Sequence, residues 1–268
     1  MGLHFGCAAF LTCLLASVLG CRARPEGPSA ALVKEIAPSG TLRVGVVVGP
    51  TRSAFFVTQA AAEPPSGVTV DLGTQLGQKL GLPVQFVTAP NSGELIDGTA
   101  AGSIDVAFMP MDEERKQRVD FGPAYFVIES TYLVSPSSGI EKLADVDRPN
   151  VRVVGISNTA TIRAAGKSLK AAQLTPARSI DDALALLVAG KADALALTHD
   201  SLPPLAAKVP GSRILDGAFL QAGVGIAVPK NRPLALAYVS EFLQSAKSSG
   251  AVQQAFEHAG LQGLAVAP

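Results

Sequence analysis

One phrase occurs twice, and it constrains the fold more than any other feature of the chain. Gly102-Ser103-Ile104-Asp105-Val106-Ala107-Phe108 returns as Gly190-Lys191-Ala192-Asp193-Ala194-Leu195-Ala196. In each copy a glycine stops a helical stretch, and an aspartate three residues on opens an apolar run of strand character. Asp105 and Asp193 are read as turn residues that shape their strands. The preceding segments repeat as well: Val151 to Ile156 is a strand like the run Thr41 to Val48, and apolar-faced helices at Gly93–Ala101 and Ile180–Ala189 lead into the two phrases. Ser179 and Asp182 resemble a capping box for the second helix. The repeat predicts two similar α/β lobes.

Within the first lobe, Val70 to Leu80 places Leu72, Leu76 and Leu80 on one helical face, and Pro83 to Val87 follows as a strand. Strand, helix, strand is a parallel unit with a right-handed crossover. Ser130 to Val134 is extended enough to cross to the second lobe, and Val224 to Val228, stopped by Pro229, brings the chain back. Helices over Pro233–Ala246 and Ala251–Ala259 complete it. The expected division is a signal peptide at 1–20, a tether at 21–35, lobe one at 36–131 and 224–268, and lobe two at 132–223. Two crossings make a hinge whose few backbone rotations open and shut a cleft.

Charge gives no case for nucleic acid or a polyanionic surface: 22 Lys and Arg balance 22 Asp and Glu. Cys7, Cys13 and Cys21 are all the cysteines, so the body of the chain holds neither a disulfide framework nor a cysteine metal site. The apolar stretch Cys7 to Leu19 is shorter than the roughly 20 residues that span a bilayer and fits a secretory leader. Its end, Ser17-Val18-Leu19-Gly20-Cys21, resembles a bacterial lipobox, which implies a lipid on Cys21 and a periplasmic, membrane-anchored body. Arg22 to Ser29 reads as the flexible part of the tether.

The stretch Ala107 to Tyr125, AFMPMDEERKQRVDFGPAY, reads as the end of a buried strand, a charged turn of helix and a strand leading out. Its polar block begins where a parallel strand releases its chain toward a ligand crevice, which singles out Arg115. Val119-Asp120-Phe121 before Gly122-Pro123 reads as a strand edge followed by a turn.

Taken in order, Gly40-Thr41-Leu42-Arg43-Val44-Gly45-Val46, Val70-Asp71-Leu72, Leu80-Gly81, Ala101 to Val106, Glu114 to Tyr125, Asp145-Val146 and Gly190 to Asp193 resemble the bacterial extracellular solute-binding proteins of family 3. The likeness covers about residues 36 to 250. It implies a two-lobed type II periplasmic binding protein fold, two similar α/β lobes joined by two hinge crossings. It also implies a small polar, carboxylate-bearing solute in the interlobe cleft, delivery to an ABC permease in the inner membrane, a monomer, and neither cofactor nor catalytic residue.

By the same resemblance, Arg115 matches the arginine that grips a ligand carboxylate, and its planar fork suits that task. Phe108 and Pro110 fall where amino-acid binders carry hydroxyls and a backbone donor, and Pro110 has no N–H. Thr198 falls at the place of the aspartate that pairs with a ligand ammonium, with His199 and Asp200 beside it. Asp112 is either a substitute negative charge or the N-cap of the helix holding Arg115. Arg52 is either a second cation of the cleft or a solvent-facing residue, and Phe55 or Phe56 either covers the ligand or belongs to the core. Thr159 and Thr161 begin a helix whose free N–H groups suit an oxyanion.

Two rivals share the scaffold. An exported cyclohexadienyl or arogenate dehydratase-like enzyme needs a tuned acid or base in the cleft, and only Asp112, His199 and Asp200 qualify. A sensory adaptor that binds ligand and docks on a membrane receptor would carry the same cleft. No phosphate loop, zinc spacing, G-x-S-x-G elbow or nucleic-acid footprint occurs in the mature chain.

Overall fold

A computed structural model describes residues 1–3, 27–49, 51–61 and 63–268. Cys21 and almost all of the expected leader lie outside the described residues. Among those described, no helix is long and apolar enough to cross a membrane.

The expected tether is shorter than 21–35, because Ala30–Ile36 forms helix α1. Ser29 caps it by accepting from the Leu32 N–H, and Leu32 and Ile36 are buried. Those two apolar residues give the segment a face to bury, and the Glu35 carboxylate accepts from the Ala235 N–H at 2.9 Å. The tether composition misleads here because the prolines and glycines stop just short of the helix.

Lobe one then runs β1 (Leu42–Val48), β2 (Phe56–Val57), α2 (Val68–Leu80), β3 (Val84–Ala89), α3 (Ser92–Ala100), β4 (Val106–Pro110) and α4 (Glu113–Arg118). Helix α2 buries Val68, Leu72, Leu76 and Leu80, each worth about 1.5–3 kcal/mol when fully removed from water. Strand β5 (Val119–Val134) leaves the lobe. Lobe two comprises β6 (Arg152–Ile156), α5 (Ala160–Ser168), β7 (Gln173–Ala177), α6 (Ile180–Val188), β8 (Ala194–Thr198), α7 (Pro203–Ala206) and β9 (Arg213–Ile214). Strand β10 (Leu220–Pro229) returns, and α8 (Pro233–Ser248) and α9 (Ala251–His258) pack on lobe one.

The strands form one sheet in the order β2-β1-β4-β10-β5-β8-β6-β7, with β3 beside β1 and β9 beside β5. Parallel pairs β1–β3, β1–β4, β6–β7 and β6–β8 make the lobes, and the antiparallel pair β5–β10 joins them. β5 pairs with β10 as far as Ser130 and with β8 from Ser130 onward. One long strand therefore belongs to both lobes.

The expected turn at Gly122-Pro123 is absent: β5 runs straight through it. The register shifts instead, with Phe121 opposite Ala227 and Ala124 opposite Gly225, so Gly122 and Pro123 share one partner residue in a bulge. A bulge tolerates a proline that cannot donate to the ladder.

The repeated phrases do the same work in both lobes. Gly102 (φ 74°) and Gly190 (φ 66°) adopt the left-handed conformation that lets the chain leave α3 and α6. Asp105 then accepts from the Arg43 N–H at 2.9 Å and from its guanidinium at 3.0 and 2.6 Å. Asp193 accepts from Arg152 in the same way, at 2.8, 3.0 and 2.7 Å. Each clamp ties the start of β4 or β8 to the start of β1 or β6, setting their register.

Candidate functional site

The charged turn after β4 folds back over the cleft. Met111 donates to the Gly223 carbonyl at 2.8 Å, and Asp112 caps α4 by accepting from the Arg115 N–H at 2.9 Å. The cap presents the Arg115 side chain inward, where it is 1% exposed. Its Nη1 donates to the Pro110 carbonyl at 2.8 Å, and its Nη2 to Ser92 Oγ at 2.7 Å and to the Asn158 carbonyl at 3.1 Å. Nε has no hydrogen-bond partner and lies 3.7 Å from Asp112 Oδ2. Burial, reinforced by the positive charge of Arg163, lowers the guanidinium to about 10 against the pull of Asp112 and Glu114. It remains a cation at neutral pH.

Because Asn158 belongs to lobe two, Arg115 bonds across the cleft. Asn158 holds a left-handed φ of 59°, a conformation that asparagine tolerates better than most residues. Gly93 of lobe one packs so close that a Cβ there would lie 2.3 Å from Asn158 Cβ. A second bridge runs from Arg163 on α5 to Asp112 and, at 3.3 Å, to Glu114. Burial pushes the Asp112 carboxyl up, but the Arg115 N–H and the Arg163 and Arg115 charges hold it below its usual range.

Inside these bridges lies a narrow cavity of about 20 Å³, room for about one water molecule. Lobe one contributes Phe55, Phe56, Asn91, Ser92 and Pro110, while lobe two contributes Ile156, Thr159, Thr161, Ile180 and Thr198. Ser53 Oγ fixes the two phenyl rings by accepting from the Phe55 and Phe56 N–H groups at 3.1 and 2.9 Å. The ring centroids are 4.8 Å apart. Thr159 caps α5 through the Ile162 N–H at 3.2 Å, Thr161 shares a hydroxyl bond with Ser130 at 3.1 Å, and Thr198 donates to Ser201 at 2.9 Å. An open depression of about 670 Å³, lined by Arg52, Glu63 and Asp181, meets this cavity at Pro90 and Ile180.

The structure thus brings Phe55, Thr159, Thr161 and Thr198 to the cavity wall and sets Arg115 directly behind Ser92 and Pro110. Arg52 stands in the outer depression. Phe108 is buried in the lobe-one core, edge-on to Tyr125 at 5.9 Å, because it sits in the middle of β4, between β1 and β10, two residues short of the Pro110 end that reaches the cavity. Asp112 is both the N-cap and a bridging charge. Asp200 lies in the turn after β8, outside the cavity wall, with Oδ1 3.5 Å from Ser201 Oγ and Oδ2 buried without a partner.

Ser92, Gly93, Asn158 and Arg163 were not foreseen. The repeat held a signal for Ser92, because Asn91 and Ser179 are matching N-caps and the residues after them, Ser92 and Ile180, both face the cavity. Among the described residues, no group of His, Cys, Asp and Glu is placed to hold a metal ion.

Residues 44–260 match the family described as bacterial extracellular solute-binding proteins, family 3. A glutamine-binding protein of Geobacillus stearothermophilus is 28% identical over 131 residues, which cover 48% of this chain and 50% of that relative. The chain thus matches about half the length of that relative. A mutant of the arginine-binding protein ArgBP from T. maritima superposes at a TM-score of 0.73 with 26% identity, covering 85% of this chain and 98% of the other. The ancestral amino acid-binding protein AncCDT-1, a precursor of cyclohexadienyl dehydratase, superposes at 0.71 with 27% identity, covering 84% and 98%.

Proposed function

The chain belongs to the bacterial extracellular solute-binding proteins of family 3, with the type II periplasmic binding protein fold, and from that premise we propose that it is the receptor of an ABC importer. It captures a small carboxylate-bearing solute, an amino acid or a related organic acid, between its lobes and presents the closed form to an inner-membrane permease. The body works in the periplasm as a monomer, held at the membrane by lipid on Cys21.

The observation that carries this reading is the buried cation Arg115, the single one among the described residues, bonded across the cleft at the wall of the interlobe cavity. The donors that Arg115 gives to the Ser92 hydroxyl and the Asn158 carbonyl are the ones a ligand carboxylate takes over. Asn158 is an uncharged acceptor, whereas a carboxylate adds a charge-assisted bond in a site shielded from water. The glutamine- and arginine-binding relatives support this class of cargo. Arg115→Ala is expected to lower affinity for the captured solute at least 100-fold by calorimetry, in a protein whose circular dichroism is unchanged. Undiminished affinity would refute the role of Arg115.

Dehydration on this scaffold requires an acid or base at the reacting atoms. None of the side chains lining the inner cavity is charged, which favours binding over chemistry. Incubation with prephenate or arogenate is expected to release no product.

A further inference from the structure

We infer that the solute held in this cleft is a small monocarboxylate with an apolar chain and no ammonium group, such as a branched-chain 2-oxo acid. The inference rests on the proposed function, in which the cleft binds a carboxylate, and it narrows the class.

Every polar side chain on the cavity wall is uncharged, and each is already engaged. Asn91 Oδ1 accepts from the Gly93 and Glu94 N–H groups at 2.9 and 3.1 Å, Ser92 Oγ accepts from Arg115, and Thr159 Oγ1 accepts from Ile162 while donating to the Ile156 carbonyl at 2.8 Å. Thr161 and Thr198 bond to Ser130 and Ser201. An ammonium carries three donors and one full charge, and on this wall it meets no carboxylate to neutralise it. Burying a charge without a partner is among the most unfavourable events in binding.

Directly behind the wall stands a cation, with the Asp112 carboxylate on its far side 3.7 Å from Nε. Arg115 touches two wall residues, Ser92 and the Pro110 carbonyl, and its Nε is unpartnered. Its field attracts an anion and repels an ammonium over the same few ångströms, and the low polarity of the surroundings strengthens both effects. The rest of the wall is hydrocarbon: Phe55, Phe56, Ile128, Ile156, Ile180 and Leu197. Such a surface rewards an alkyl or aryl chain.

Three acids weigh against this: Glu63 and Asp181 stand in the outer depression, beyond Pro90 and Ile180, and Asp200 stands behind the wall. Its Oδ2 is enclosed without a partner, and its charge helps raise the buried Tyr125 phenol, behind the main effect of burial. It does not line the cavity.

The test is calorimetry on the unmodified mature protein, freed of co-purified solute by unfolding and refolding, with matched triplets on one carbon skeleton. L-Leucine, 4-methyl-2-oxopentanoate and isoamylamine form one triplet; L-phenylalanine, phenylpyruvate and phenethylamine form another. The oxo acid is expected to bind at least tenfold more tightly than its amino acid, and the amine not at all. An amino acid that binds as well as or better than its oxo acid overturns the inference while leaving the carboxylate reading in place. A tenfold loss of that amino-acid affinity in Asp200→Asn would then identify the ammonium partner. Binding by the amines alone defeats the carboxylate reading and the inference together, whereas binding by no member of either triplet overturns the inference and leaves the carboxylate reading in place.

Discussion

The two lobes share their framework and differ in the segment each attaches to its end. At one constant offset in the numbering, Asn91 corresponds to Ser179 as N-cap, Asp105 to Asp193 as clamp, and Pro110 to Thr198 at the cavity wall. Beyond that point the copies part. Lobe one continues into α4 and turns Arg115 inward, whereas lobe two continues into a short turn, His199–Ser201, that keeps Asp200 off the wall. Lobe one therefore supplies the buried cation and the Ser92 hydroxyl, and lobe two the hydroxyls of Thr159, Thr161 and Thr198 and a helix start. The duplicated part builds the fold, and the divergent part decides where the charges stand.

The sharpest way to break this comparison is at the contact between the lobes. Gly93 touches Asn158, while its counterpart in lobe two, Asp181, already carries a side chain in the open depression. Gly93→Ala is expected to hold the lobes apart, raising the radius of gyration in solution scattering and weakening solute binding at least tenfold. Normal closure in that variant would show that the contact yields.

The clamps offer a second, smaller contrast. In lobe one the Asp105 side chain is 2% exposed and Arg43 24%, whereas in lobe two the values are 17% and 43%. Asp105→Asn is expected to lower stability by about 2 kcal/mol in urea denaturation, less than the 3–5 typical of a fully buried pair because Arg43 keeps contact with water. Asp193→Asn should cost clearly less, since solvent already screens that pair. Equal losses would mean that burial does not separate the two copies.

The smallest effect is acid sensitivity of lobe two. Hydrogen bonds from Arg152 hold the Asp193 carboxyl below its ordinary range, against the upward push of burial. Its contribution is therefore complete above the unfolded value of about 4 and fades as the pH falls through the depressed folded value. Asp193→Asn should flatten the decline of the urea midpoint below about pH 4, and an unaltered slope would assign the decline to other carboxylates.

Much of this framework was legible in the residues. The glycine and aspartate of each repeat and the four-residue spacing of Leu72, Leu76 and Leu80 gave elements within a residue or two of those observed, whereas the extended runs at Ser130 and Val224 caught only the later parts of β5 and β10. Helix α1 escaped notice because propensity counts prolines and glycines, while its stability comes from Leu32 and Ile36 meeting α8. Gly122-Pro123 misled because a bulge and a turn need the same residues. The cavity wall was only half visible: Phe55, Thr159, Thr161 and Thr198 stood out, but Ile156, Ile180 and Leu197 cannot be told from core residues until the lobes face one another. Arg163 looked like any polar helix residue, because its partners Asp112 and Glu114 are remote in sequence and belong to the other lobe.

The carbonyl of Asn158 has one more implication. It already occupies a donor of Arg115, so under the proposed function an incoming carboxylate has to displace it. Apparent affinity is the intrinsic value scaled by the share of molecules left open. Under the proposed function, the left-handed turn at one asparagine thereby tunes how scarce a solute must become before capture fails.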